Sequence, residues 1–145
     1  MKRHATAIWE GSLVEGKGVL STQSGAFDGV PYSFKGRFQD ESGKSGTNPE
    51  ELIGAAHAGC FVMQLAHMLA GNDTPADQLD ATANIDMGEA PGGGFQINSS
   101  TITLKAKVPG IDDAKFQEIA TKAKDGCPVS KALTGIEIKL DATLV

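Results

Sequence analysis

The sequence predicts an α+β protein in which antiparallel sheets are wrapped around one long, buried helix. Three observations lead there. Leu52 to Leu69 is apolar around nearly its whole circumference as a helix, and a helix apolar on every side must be enclosed by other structure. The segments before and after it alternate with a period of two, as strands do. A second, amphipathic helical segment over 112–126 precedes one last alternating run, so the order reads βββ–α–ββ–α(α)–β. The 145 residues are expected to form a single domain, 1–145, able to bury about two-thirds of the surface its unfolded chain exposes.

Taken in order, Ala5, Ala7 and Trp9 alternate with His4, Thr6, Ile8 and Glu10, and Leu13 to Leu20 returns after the turn at Gly11. A second turn over 25–29 leads to Tyr32, Phe34, Gly36 and Phe38 alternating with Ser33, Lys35, Arg37 and Gln39. That pattern predicts a third strand with Arg37 facing away from the aromatics. A polar linker, DESGKSGTN, follows. Asn48-Pro49-Glu50-Glu51 starts a helix: Asn48 can cap, Pro49 suits the first helical position, and Glu51 stands where a capping box places its acid. Gly71-Asn72 ends it.

Strands are expected over 80–89 and 95–108, joined by a loop, Ala90 to Gly94, whose glycine triplet reads as a hairpin tip because no helix follows it. Asp112 opens a helix with Phe116, Ile119, Ala120 and Ala123 on one stripe. Pro128 starts a short helix, and Ile136, Ile138, Leu140, Ala142 and Leu144 alternate as the closing strand.

Composition narrows the function. With 13 basic and 18 acidic residues the net charge is −5, and no basic run exceeds Lys2-Arg3. A phosphate backbone selects clustered Lys and Arg, so no nucleic-acid partner is expected. MKRHATAIWE has no apolar stretch behind its basic residues, and the apolar region Leu52–Ala70 is interrupted by His57, Gln64 and His67. No secretory signal and no membrane span are expected, which leaves a soluble protein of cytoplasmic type.

Two cysteines, Cys60 and Cys127, permit a redox pair, a lone nucleophile with a bystander, metal ligands, or two small buried hydrophobes. His57, Cys60, Gln64 and His67 fall within roughly an 80° arc of the long helix, a polar seam on an apolar rod. A mid-helix thiol in apolar surroundings has its pKa raised, so it needs a cation from outside the helix to react. Arg37 is a candidate for that cation. The bland readings stand beside it: Arg37 as a solvated charge, His57 and His67 as core or interface histidines, and Glu50 and Glu51 as dipole partners. Cys60 and His67 are about 10 Å apart along the axis, too far to share one ion, and neither Cys-x-x-Cys nor His-Glu-x-x-His occurs. No metal and no cofactor is therefore expected. Cys127 precedes Pro128 at a helix start, where unpaired N–H groups favour a thiolate.

The block Thr47-Asn48-Pro49-Glu50-Glu51-Leu52-Ile53-Gly54-Ala55-Ala56-His57-Ala58-Gly59-Cys60-Phe61 resembles the signature of the osmotically inducible protein C (OsmC) family. These are thiol peroxidases related to the organic hydroperoxide resistance proteins. The resemblance extends to Tyr32–Phe38 and to Cys127-Pro128-Val129-Ser130, and Glu-Glu-Leu-Ile-Gly-Ala-Ala-His is closer to the OsmC branch. It implies an OsmC-like intertwined homodimer with active sites at the subunit interface. It also implies a peroxidatic Cys60, a resolving Cys127 that closes a disulfide with it, and Arg37 and Glu50 completing the site. Organic hydroperoxides would be the substrates, hydrogen peroxide a weaker one, and an external dithiol, for which the family suggests a lipoylated protein, the reductant.

One geometric check bears on that picture. Glu50 and Cys60 stand about 15 Å apart on one unbroken helix. Either the helix breaks between them, or it begins only near Leu52, or Glu50 serves the other subunit's thiol. The sequence points to a site assembled from two chains. Two other readings remain: a non-enzymatic protein holding an apolar ligand with incidental cysteines, and a metal-dependent hydrolase.

Overall fold

The computed structural model describes residues 1–145. They form two compact units, Met1–Leu52 and Ile53–Val145.

In the first unit, β1 (Ala5–Glu10), β2 (Lys17–Thr22) and β3 (Val30–Tyr32) make an antiparallel sheet in that order. Trp9 lies opposite Gly18, and Gly18 opposite Tyr32. A Cβ on Gly18 would come within 2.4 Å of the Tyr32 ring. Glycine there leaves room for Trp9 and Tyr32 to meet with centroids 5.3 Å apart.

The expected strand over 32–39 is corrected: the chain leaves the sheet after Tyr32 and forms a short helix, α1 (Phe34–Phe38). Ser33 explains the switch, since its hydroxyl accepts from the Gly36 N–H at 3.0 Å and caps the first turn. Phe34 and Phe38, read as alternate strand positions, are also i and i+4, and their rings meet at 4.9 Å across one helical turn. The linker that follows is organised by one carboxylate. Asp40 accepts from the N–H groups of Ser42, Lys44 and Ser45 and from the Ser42 hydroxyl. These bonds, those from Ser42 and Ser45 foremost, hold its carboxyl well below the usual range.

Helix α2 runs unbroken from Pro49 to Gly71. The Asn48 side chain accepts from the Glu51 N–H at 2.8 Å, and the Glu51 carboxylate accepts from the Thr47 hydroxyl at 3.1 Å. A start near Leu52, with Glu50 on a loop, is thereby excluded.

In the second unit, β4 (Gln78–Glu89) and β5 (Phe95–Lys107) form an antiparallel hairpin with an irregularity between Asp86 and Met87. The third strand, β6 (Glu137–Leu144), pairs with β5 in parallel, which corrects the wholly antiparallel expectation. The reason is the connection. The chain passes through α3 (Asp113–Gly126) and α4 (Pro128–Ala132) between β5 and β6, and a helical crossover of that length returns a strand in the same direction.

Inward positions of β5, at Ser100, Ile102, Leu104 and Ala106, are fully buried. Ile102, Leu104 and Ala106 join Phe61, Leu65 and Leu69 of α2 and Phe116, Ile119, Ala120 and Ala123 of α3 in one core. Although α2 is long and apolar enough to cross a membrane by length and composition, its Phe61–Leu65–Leu69 stripe belongs to this core. The expectation of a helix enclosed on all sides is not met within one chain. Only Gly54, His57, Phe61, Leu65 and Leu69 are buried, while Met63 is 75% exposed and Ala55, Ala56, Gly59, Ala66 and Ala70 lie open. One sheet and one helix can cover one stripe of a rod, and no more.

Candidate active site

Four residues named from the sequence fall into two pairs, one in each unit. In the first, Arg37 lies in the last turn of α1 and Glu50 in the first turn of α2. Arg37 Nε donates to Glu50 Oε2 at 3.1 Å and Nη2 to Oε1 at 2.6 Å. This two-pronged, charge-assisted contact fixes the plane of the guanidinium. The side chains are 34% and 13% exposed, so the pair is shielded without being sealed. The Phe38 ring lies 4.9 Å from Arg37 Cζ, adding a second restraint through its π face. A cavity of about 260 Å³ opens beside it, lined by Trp9, Leu13, Tyr32, Phe34, Arg37 and Phe38 among others.

The second pair is made of thiols. Cys60 sits mid-helix on α2, half-buried, and Cys127 is fully buried at the junction of α3 and α4. The Cys127 S–H donates to Cys60 Sγ at 2.7 Å, with both cysteines as free thiols. The sequence separates them by 67 residues; the packing of α3 on α2 through Phe61, Phe116 and Ala123 brings their elements together.

The thiols differ electrostatically. Burial, together with the hydrogen bond and charge of Cys127, pushes the Cys60 thiol up, against one lowering contact from the Val129 backbone N–H. Burial acts on Cys127 in the same upward sense, but it is outweighed by the hydrogen bond shared with Cys60 and by contacts with the Ser130 backbone and hydroxyl and the Val129 backbone, which bring Cys127 below its ordinary value. That agrees with the expectation that a helix start favours a thiolate at Cys127. Nothing in the Ile53–Val145 unit supplies Cys60 with the cation that the sequence expects from Arg37.

The polar seam on α2 resolves into distinct environments. His57 is fully buried, with Nδ1 2.7 Å from Ser100 Oγ and Nε2 2.8 Å from Ser130 Oγ. Burial pushes its pKa down, so the imidazole is held neutral. Gln64 is half-buried and His67 exposed. No three His, Cys, Asp or Glu side chains converge as a metal site would require. Sequence reasoning gave Ser100 and Ser130 no role. The signal for Ser100 was its place in the same alternation as Ile102, Leu104 and Ala106, which follow it at intervals of two. For Ser130, three residues after Cys127, no comparable signal exists.

An α+β chain with two free thiols in contact, one half-buried in mid-helix and one buried at a helix junction, has the geometry of a thiol-redox protein. Comparison with known proteins narrows it. Residues 41–141 match the family described as OsmC-like protein. The chain is 46% identical to Peroxiredoxin OsmC of Escherichia coli over 95% of its own length and 93% of that protein. To the organic hydroperoxide resistance protein OhrB of Bacillus subtilis it is 33% identical, over 70% of this chain and 73% of that one. The crystal structure of that OhrB superposes with a TM-score of 0.73, covering 97% of this chain and 98% of its own. An OsmC-like protein from Mycoplasma pneumoniae, at 16% identity and a TM-score of 0.76, shares the fold. The chain belongs to the OsmC-like family.

Proposed function

We propose that this protein is a cysteine-based peroxidase that reduces organic hydroperoxides, and hydrogen peroxide more weakly, to alcohols and water. The observation that carries the reading is a pair of free thiols 2.7 Å apart in a chain of this family. The Cys60 thiolate attacks the distal peroxide oxygen. The O–O bond breaks, the departing alkoxide takes a proton and leaves as the alcohol, and Cys60 becomes a sulfenic acid. Cys127 then attacks that sulfur: an S–S bond forms, the S–O bond breaks, and hydroxide leaves with the Cys127 proton as water. An external dithiol, for which a lipoylated protein fits the family pattern, reopens the disulfide by exchange and is itself oxidised.

Arg37 is assigned the stabilisation of the Cys60 thiolate and the orientation of the hydroperoxide, and Glu50 holds its fork. The raised Cys60 pKa is what makes such a cation necessary. Ten residues of continuous α2 put about 15 Å of helix axis between Glu50 and Cys60. A Glu50–Arg37 fork from one protomer would therefore serve the thiol of the other. The open apolar face of α2 and the exposed Ile8 (60%), Leu13 (66%) and Met63 (75%) support a homodimer that covers them. In this reading residues 1–145 act as one peroxidase domain, in the cytoplasm, where reduced thiols persist. The aromatic cavity beside Arg37 suits an alkyl substituent, whose transfer from water favours organic over hydrogen peroxide.

The test is a thiol count. One equivalent of an alkyl hydroperoxide should consume both thiols within the mixing time and a dithiol should restore them. Retention of both thiols, with saturable binding of an apolar dye in the cavity, would instead make this an apolar-ligand-binding protein.

A further inference from the structure

His57 is buried completely, yet the peroxidase chemistry above gives it no task. Its surroundings define the direction of a hydrogen-bonded chain. Ser130 stands one helical turn after Cys127 in α4, and its hydroxyl lies 2.8 Å from His57 Nε2; with the hydroxyl proton turned to the Cys127 sulfur, its oxygen is left to accept from Nε2. A neutral imidazole carries one N–H, and this arrangement puts it on Nε2. Nδ1 is then an acceptor, 2.7 Å from the Ser100 hydroxyl. Every proton in the chain Ser100, His57, Ser130 thus points toward Cys127, and no buried polar side-chain atom lacks a partner.

We propose that His57 is a positioning residue for the resolving step, holding the Ser130 hydroxyl with its proton aimed at the Cys127 sulfur. The inference rests on the peroxidase reading. When Cys127 attacks the Cys60 sulfenic acid, its own proton passes to the departing hydroxyl and leaves as water. The Ser130 O–H stays in place and stabilises the charge that develops on the Cys127 sulfur. His57 neither gains nor loses a proton. It fixes the rotor of a hydroxyl that would otherwise be free to turn away. The titratable group facing Cys127 from α2 is Cys60. The charged groups bordering Ser130 are Lys124 and Asp125 of α3 and Lys131 of α4, which line a cavity of about 180 Å³ with it.

The experiment is a rapid-mixing single turnover of the full-length protein with one equivalent of cumene hydroperoxide, from pH 5 to 9. Sulfenic acid is followed by trapping and disulfide by thiol counting. His57→Phe and Ser130→Ala should each slow disulfide formation about tenfold near neutrality and move its pH midpoint upward by about one unit, since thiolate below its pKa falls tenfold per unit. His57→Gln, which keeps an N–H within reach of Ser130, should recover most of the rate. A Ser130→Ala protein with the unsubstituted rate and midpoint overturns the proposal, as does His57→Gln no faster than His57→Phe. Ser130→Ala removes a single oxygen and keeps the test valid where the larger change at His57 disturbs folding. Absence of sulfenic acid and disulfide in the unsubstituted protein would defeat the peroxidase reading itself.

Discussion

The two units of this chain handle burial in opposite ways. Ile53–Val145 has a closed apolar core, with Phe61, Leu65, Leu69, Ile102, Leu104 and Phe116 all at 0% exposure. Met1–Leu52 has no large buried hydrophobe, and its only buried residues are Gly16, Gly18 and Thr47. The chemistry divides along the same line: thiols sit in the unit with a core, the guanidinium–carboxylate fork in the unit without one. Burial among apolar groups favours the protonated thiol unless a charge or hydrogen-bond donors are brought to it, and a charged fork keeps its solvation best on a thinly packed element. Each unit holds what its packing can tolerate.

Substitutions can break that contrast. The largest effect is expected at the thiols: Cys60→Ser should abolish turnover, whereas Cys127→Ser should permit about one turnover and then accumulate an overoxidisable sulfenic acid, read by mass spectrometry. Arg37→Ala should slow sulfenic acid formation about a hundredfold and raise the Cys60 pKa further. An unchanged Cys60 titration, followed by thiolate absorbance, would remove the role assigned to Arg37. Arg37→Lys should fall between, keeping charge but losing the fork to Glu50.

Stability should divide likewise. Phe61→Ala should cost about 3–5 kcal/mol by leaving a cavity in a sealed core, while Ile8→Ala, at an exposed strand position of the other unit, should stay within about 0.5 kcal/mol in denaturant titrations of the dilute protein. A large loss at Ile8 that grows with protein concentration would sharpen the contrast by revealing a second chain over that strand.

A pH-dependent effect is expected at His57. Its folded pKa lies below the ordinary 6.5, so the unfolded chain protonates first as pH falls. Stability from this group is complete above pH 6.5 and declines below it, no more steeply than about 1.4 kcal/mol per pH unit. Thermal melts at pH 7.5 and pH 5.5 should show the decline, and His57→Gln should remove that component.

Local rules decided several features correctly. Asn48, Pro49 and Glu51 marked the start of α2 and Gly71 its end; Asp112 and Pro128 opened α3 and α4. They failed at 32–38, where Phe34 and Phe38 satisfy two periodicities at once and only the Ser33 cap distinguishes them. They failed also at β6, because alternation states that a strand exists and not which way its neighbour runs.

The sequence by itself determined the long apolar helix, the two cysteines, the acidic charge and the motif that places the chain in its family, since each depends on residue type and short-range spacing. Tertiary structure alone decided that Cys127 reaches Cys60 across 67 residues, that Ser100 and Ser130 close on His57, and that one stripe of α2 is covered while the rest lies open. Those are contacts between elements remote in the chain. Their geometry follows from how side-chain volumes fill a shared core, which no local pattern encodes.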